Sequence, residues 1–296
     1  MLRHALFAFA LAGTPALADT VTIDTYTGSA SVETNPARIA VFDIAALDTL
    51  DALGVDVAGV VAPQYVDYVA GAAEGAESVG SLFEPDYEAI AAGGYDLLVA
   101  GGRSSRVAPD LAKIAPTIDM TIWEDTVGQG LDRLEAYGAI FGKQEEADAL
   151  RADFDAALAA AKGAVADQGK ALIVMTNGPT VSAYGAEGRF GWLHSALDLP
   201  EAIADVETTT HGEAVSFEFI RDANPDILIV IDRAAAIGQD GEAAATTLDN
   251  ALVQETNAWK AGNVIYLDSA SIYIAGGGIQ SMISTLGQFT QAFSDS

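Results

Sequence analysis

Three arginines in a chain with few basic residues each stand directly after an apolar, strand-like run or in a glycine-flanked loop. Arg103 follows Leu97-Leu98-Val99-Ala100-Gly101-Gly102, Arg233 follows the run ending in Ile231-Asp232, and Arg189 lies in Gly188-Arg189-Phe190-Gly191. A guanidinium is always charged and offers planar, paired donors, so three that converge can hold one anionic ligand. Taken singly, each can instead pair with a nearby acid or reach into solvent. His211 lies in the polar stretch Thr208-Thr209-Thr210-His211-Gly212-Glu213, and Tyr273 in Ser269-Ala270-Ser271-Ile272-Tyr273-Ile274-Ala275; both segments read as loops beside strand ends. Neutral imidazole and phenolate are sound ligands for ferric iron, whose charge permits loss of the phenol proton. Ordinary packing is the competing role for a lone His and a lone Tyr. His194, among Trp192, Leu193 and Leu197, is assigned to packing.

Two of the arginines belong to a repeated unit. Glu88, Ile90, Asp96, Leu98 and Arg103 recur as Glu218, Ile220, Asp226, Leu228 and Arg233, each pair 130 residues apart. The unit reads as a short helix, a tight turn, a buried strand, then an Arg just past the strand end. Two copies suggest two similar lobes whose strand ends line a cleft, each lobe offering one Arg. Generic helix–strand units share part of this pattern by chance. Glu88 and Glu218 fall early in their helices, where a carboxylate interacts well with the helix dipole. As a pair they also suggest two acidic knobs, one per lobe, for docking onto a symmetric partner that carries Arg.

The elements that must position these groups alternate. Strands are predicted at Val21–Ile23, Ser31–Glu33, Ile39–Phe42, Val57–Val61 and Leu97–Ala100, with a helix over Ala45–Leu53 capped by Asp43. Glu84-Pro85-Asp86 begins the first repeated helix with Pro at an early helical position, and Thr126 caps a helix that runs to Phe141. In Lys143–Gly163, Ala147, Leu150, Phe154, Leu158 and Ala161 draw one apolar stripe. At 1.5 Å rise, roughly twenty residues span about 30 Å, enough for a rigid connection between lobes. The second half repeats the alternation: strands Ala171–Thr176 and Val181–Tyr184 around an Asn177-Gly178-Pro179 turn, helix Gly191–Leu197, helix Ser216–Asp222, strands Ile227–Ile231 and Val264–Leu267, and a closing helix Gly278–Phe293. The Gly276-Gly277-Gly278 run before that helix could receive an anion at a helix N-terminus. The pattern predicts an α/β fold of two lobes with mostly parallel central sheets, joined by one long helix, with the ligand cleft between lobes at the carboxyl ends of the strands. The boundaries read as a signal peptide over 1–18, an N-terminal lobe over 19–142, the connecting helix over 143–166 and a C-terminal lobe over 167–296.

Composition narrows the class of function. The chain has 296 residues, half of them hydrophobic, with 42 acids against 14 bases for a net charge of −28. Such a charge argues against nucleic acid and anionic membrane surfaces, which need basic patches. Arg3, the apolar run Ala5–Ala12 and the small-x-small triplet Ala16-Leu17-Ala18 make a cleavable secretory signal, too short to span a bilayer. No cysteine is present, which excludes disulfides, thiol catalysis and a lipid-modified N-terminal Cys. A soluble, exported, periplasmic protein is the simplest reading. No Gly-x-Ser-x-Gly elbow, phosphate-binding loop or His-Glu-x-x-His stands out, so an enzyme is not expected.

Several stretches together resemble one family. They are Val79-Gly80-Ser81, Glu84 to Ile90, Asp96 to Val99 with Gly102-Arg103, Arg189-Phe190-Gly191, Thr210-His211-Gly212, Val215 to Glu218, Ile231-Asp232-Arg233, and Tyr273 with Gly276-Gly277-Gly278. Over nearly its whole length beyond residue 18 the chain resembles the periplasmic substrate-binding proteins of iron–siderophore ABC transporters, the catecholate group above all. The resemblance implies two α/β lobes joined by a stiff helix, and a monomer that binds a ferric catecholate siderophore and delivers it to an ABC permease in the inner membrane. It implies that Arg103, Arg189 and Arg233 face the anionic complex. It further implies that His211 and Tyr273 complete the iron shell when the siderophore supplies four oxygens, six ligands suiting a hard ferric ion. Glu88 and Glu218 would contact the permease. Iron would be cargo, with no intrinsic cofactor. Tyr95 departs from the Pro often found there, and Ile272 from a common aromatic beside the Tyr. The rival readings are a haem or cobalamin carrier of the same fold and an exported hydrolase acting on siderophores.

Overall fold

The computed structural model describes residues 19–204, 206 and 211–294, of which the first form an antiparallel hairpin of β1 (Thr20–Thr25) and β2 (Gly28–Glu33). The expected signal segment 1–18 and the Thr208–Thr210 run before His211 lie outside the described residues. There follow β3 (Ile39–Val41), α1 (Ile44–Ala52), β4 (Gly59–Val60), β5 (Glu77–Ser78), α2 (Tyr87–Gly93), β6 (Leu97–Ala100), α3 (Ala108–Leu111) and β7 (Thr117–Asp119). The five strands after the hairpin form one sheet in the order β5-β4-β3-β6-β7, every pairing parallel. Ile39-Ala40-Val41 and Leu97-Leu98-Val99-Ala100 are wholly apolar because a parallel sheet is covered on both faces. Asp43 caps α1 as expected, its carboxylate accepting from the Ala46 N–H.

Two helices follow, α4 (Thr126–Phe141) and α5 (Gln144–Val165), the latter of 22 residues. The cap of α4 is Asp125 rather than Thr126: its carboxylate takes the Gly128 N–H at 2.9 Å, and a carboxylate competes well with a hydroxyl for that role. The second sheet comes from β8 (Ala171–Asn177), β9 (Thr180–Tyr184), α6 (Trp192–Leu197), β10 (Glu213–Val215), α7 (Phe217–Ala223), β11 (Ile227–Asp232), α8 (Arg233–Ala236), α9 (Ala244–Leu248), α10 (Asn257–Ala261) and β12 (Val264–Tyr266). Two helices follow the last strand, α11 (Ser269–Ile274) and α12 (Ile279–Ser294). Strand order is β10-β9-β8-β11-β12, with β8, β11 and β12 parallel. β9 runs antiparallel to β8 because the tight turn at Gly178-Pro179 returns it directly, pairing Asn177 with Thr180. β10, read from sequence as polar loop, adds antiparallel to β9 as an edge strand.

The 130-residue repeat is a structural repeat. α2 starts at Tyr87 and α7 at Phe217; β6 starts at Leu97 and β11 at Ile227. Both helices end at a left-handed residue, Gly94 and Asn224. The repeated Asp has one task in both copies. Asp96 accepts the backbone N–H of Arg38 at 2.8 Å and Asp226 that of Lys170 at 3.0 Å, pinning the residue that leads into each sheet's central strand. Pro85 precedes α2 rather than starting it, since Asp86 is the cap, taking the N–H groups of Glu88 and Ala89.

One apolar core runs through both halves and includes Leu47 and Leu50 of α1, Phe154 of α5, Ile173 of β8 and Met282 and Phe289 of α12. The closing helix therefore does not belong to the second sheet alone. Its N-terminus docks on buried Asp48 of α1, whose carboxylate accepts from Gln280 N–H at 2.8 Å and Ser281 N–H at 2.9 Å. The anion expected after the glycine run is thus this carboxylate. Gly278 is required by the close approach, since a Cβ there would lie 2.5 Å from Asp48.

Candidate functional site

The carboxyl ends of β6 and β11 and the loop before α6 bring the three arginines to one cavity of about 460 Å³. Arg103, Arg189, His211, Arg233 and Tyr273 all line it. Arg103 lies just past the end of β6, as expected, in a short 3₁₀ turn, Gly102–Val107; the Gly102 N–H is held by Thr121 Oγ1 at 2.9 Å and the Gly101 N–H by Ser104 Oγ at 3.0 Å. Arg189 is carried by a tight loop whose buried Phe190 packs edge-on against Tyr184, ring centroids 4.8 Å apart. A Cβ at Gly191 would lie 1.9 Å from the Ala186 carbonyl oxygen, so that loop requires glycine. Arg233 opens α8. Asp232 caps that helix, accepting from Ala235 N–H at 3.0 Å and from Ala244 N–H at 2.8 Å.

Tyr273 is the hub. It sits in α11, capped by Asp268, where a loop was expected; Ser269-Ala270-Ser271 reads as polar, yet the Asp cap starts a helical turn. The backbone carbonyl oxygen of Tyr273 accepts from Arg103 Nη2 at 3.1 Å and from Arg189 Nη2 at 2.6 Å. Both guanidiniums also lie over its ring, 5.3 and 4.2 Å from the centroid. Burial raises the Tyr273 phenol, but a hydrogen bond from Arg233 and the charges of Arg189, Arg233 and Arg103 outweigh it and hold the phenol below the ordinary tyrosine value. Arg189 is lowered too, by burial and by the like charge of Arg103. Three cations held this close, with no acid ion-paired to them among the described residues, leave positive charge that an anion would neutralise.

His211 is exposed on the cavity rim just before β10. His194 is buried, with Nδ1 2.9 Å from the Leu199 carbonyl oxygen, and burial lowers its pKa, in keeping with packing. Glu88 and Glu218 are both exposed in the first turns of α2 and α7. Burial pushes Asp43 up to about 6, against the pull of the Arg103 charge. The sequence reading missed Asp43, Phe83, Trp123 and Trp192 as parts of the cavity wall. Phe83 and Trp123 are 57% and 55% exposed, and large aromatics left in water mark a binding surface, but exposure is invisible in a sequence.

Among the described residues no helix is long and apolar enough to cross a membrane. Comparison with known proteins agrees with this architecture. The petrobactin-binding protein YclQ of Bacillus subtilis is 37% identical over 258 residues, covering 85% of this chain and 80% of the relative. Its crystal structure superposes with a TM-score of 0.87 at 34% identity, covering 94% of this chain and all of that one. The ferric-anguibactin-binding protein FatB of Vibrio anguillarum is 31% identical, covering 88% and 84%. The periplasmic catecholate-siderophore binding protein VctP of Vibrio cholerae superposes with a TM-score of 0.84 at 30% identity, covering 94% of this chain and all of that one. The model of the periplasmic binding protein family, a family of substrate-binding proteins, matches residues 39–271, and the chain belongs to that family.

Proposed function

We propose that this protein binds a ferric siderophore of the catecholate class in the periplasm and hands it to an ABC importer, acting as a carrier rather than an enzyme. The observation that carries the reading is the convergence of Arg103, Arg189 and Arg233 on Tyr273 at one cavity. A ferric catecholate is anionic and flat-faced. It matches guanidinium donors that are already crowded by their own kind, and Arg over a catechol face adds a cation–π contact. His211 and the Tyr273 phenolate supply the last two iron ligands when the siderophore offers four oxygens, and the lowered phenol makes deprotonation easier. The iron is cargo. The protein acts as a monomer, and exposed Glu88 and Glu218 are its contacts with the permease.

The test is a titration of tryptophan fluorescence with ferric complexes of a tetradentate and a hexadentate catecholate, with a ferric hydroxamate and haem as controls. Trp123 and Trp192 line the cavity and report occupancy. Tight quenching by the catecholates alone is the expected result. A response to haem or hydroxamate in place of catecholate would overturn the ligand class.

A further inference from the structure

Among the described residues, Asp43 is the one acid in the wall of the arginine cleft. Its side chain is buried, and the turn that carries Arg103 rests on its carboxylate. A Cβ at Gly101 would lie 2.9 Å from Asp43 Oδ2, and one at Gly102 would lie 3.3 Å from Oδ1. No Lys, Arg or His forms an ion pair with it among the described residues. Its donors are the backbone N–H groups of Ala46, at 3.3 Å, and Ala45. A carboxylate so far from water and so thinly partnered is costly to keep charged.

The elements packed around it leave that charge to Arg103. On α4, Arg133 is turned away: its guanidinium donates to the carbonyl oxygens of Asp24 at 2.8 Å and Thr121 at 3.2 Å. Tyr137, on the same helix, feels the Asp43 charge, and its hydroxyl is buried without a partner. Asp119, at the end of β7, is a second acid; its oxygens accept from Thr121 and Ser105. Arg103, over the carboxylate, is the cation that holds it down, and burial still lifts it to about 6. Arg189, Arg233, His211 and Tyr273 share the cavity. An anion laid on Arg103 cancels the hold of that guanidinium and adds its own repulsion, so both effects push the Asp43 carboxyl further up.

We propose that Asp43 is the proton-binding residue of the cleft: it is ionised beneath Arg103 while the cleft is empty, and takes one proton from solvent when an anionic ferric chelate lies on Arg103. This rests on the ferric-chelate reading of the cleft. The neutral acid then presents an O–H to the cleft in place of a negative charge. The loaded protein holds more protons than the empty one, so affinity falls as pH rises.

Two measurements decide the matter. In the first, a hexadentate ferric tris-catecholate is titrated into the full protein; its own oxygens fill the iron shell and leave His211 and Tyr273 off the metal. Wild type weakens about fivefold or more between about pH 6 and pH 7.5. Asp43→Asn, which still caps α1, binds at least as tightly at the upper pH and shows a flat profile. His211→Ala keeps the wild-type slope. Isothermal titration in two buffers of different ionisation enthalpy shows wild type taking up about one proton more than Asp43→Asn. A flat wild-type profile, a slope that survives Asp43→Asn, or one that vanishes in His211→Ala would overturn the proposal. In the second, the Asp43 carboxyl is titrated by ¹³C NMR without ligand. Its midpoint moves up in Arg103→Gln, and an unmoved midpoint would overturn the coupling even if the chelate binds. If the chelate does not bind at any pH, the ferric-chelate reading fails, and the Arg103→Gln titration still decides whether Asp43 answers to the charge on Arg103.

Discussion

Arg189 covers Tyr273 twice over: its guanidinium carbon stands 4.2 Å from the ring centroid, and its Nη2 is 2.6 Å from the same residue's carbonyl oxygen. One side chain thereby fixes both the backbone and the ring of the residue at the centre of the cleft. Arg103 adds a second bond to that carbonyl. The cationic cleft and the Tyr273 phenol are therefore one unit, built before any ligand arrives.

The arginines should control affinity. Replacing Arg103 or Arg233 by Gln removes a charge-assisted donor worth about 1.5–3 kcal/mol in a partly dry cleft, so binding of a ferric catecholate weakens about tenfold or more. Isothermal titration of each variant checks this, with thermal melts to confirm folding. Unaltered affinity in both would remove the arginine cleft from the mechanism.

Tyr273 should ionise early. Its phenol lies below the ordinary tyrosine value, whereas burial lifts Tyr184 to about 12. In an alkaline titration followed by tyrosinate absorbance, one group leads the others, and Tyr273→Phe deletes that step. With a tetradentate ferric catecholate bound, Tyr273→Phe and His211→Ala each shift the visible charge-transfer band. An unchanged spectrum in both variants would sink their role as iron ligands.

Asp48 should tie stability to pH. Burial pushes its carboxyl from 3.8 to about 7, even though Tyr68 and the N–H groups of Gln280 and Ser281 favour the charged form. The folded protein then holds a proton that the unfolded chain has released, and stability falls as pH rises through that window. Melting temperature therefore drops between about pH 4 and pH 7 and levels off above that. Asp48→Ala shows a shallower drop and, at pH 5, a loss of about 2–4 kcal/mol, because three donors lose their acceptor. A slope equal to wild type would show that other groups set the pH dependence.

Glu88 and Glu218 should matter for delivery and not for binding. Both are exposed and outside the cavity lining. The double variant E88A/E218A keeps its affinity for the ferric complex, and uptake reconstituted with the permease falls severalfold. Undiminished uptake would place the docking contacts elsewhere.

Much of this arrangement was legible in the sequence because its signals are local. The 130-residue spacing fixed where α2, β6, α7 and β11 begin, and glycine-flanked or post-strand placement marked Arg103, Arg189 and Arg233 as cavity residues. Signals that depend on the rest of the fold were hidden. Glu213–Val215 becomes a strand only because β9 offers it an edge. The glycine run before α12 looks like an anion site, and only the folded chain shows Asp48 filling it from 232 residues away. Trp123 and Trp192 carry no spacing that predicts a shared cavity wall, since one precedes α4 and the other opens α6.

The Asp48 contact also sets an order of events in making the protein. Helix α1 is synthesised early, yet its buried carboxylate and the apolar face beside it are covered by α12, which follows both sheets in the sequence. The first sheet can assemble its strands from its own sequence, but it cannot close until residues 279–294 return to it. A chain truncated before α12 keeps both sheets' strands and still leaves α1 uncovered, so the first sheet becomes native only after α12 has left the ribosome.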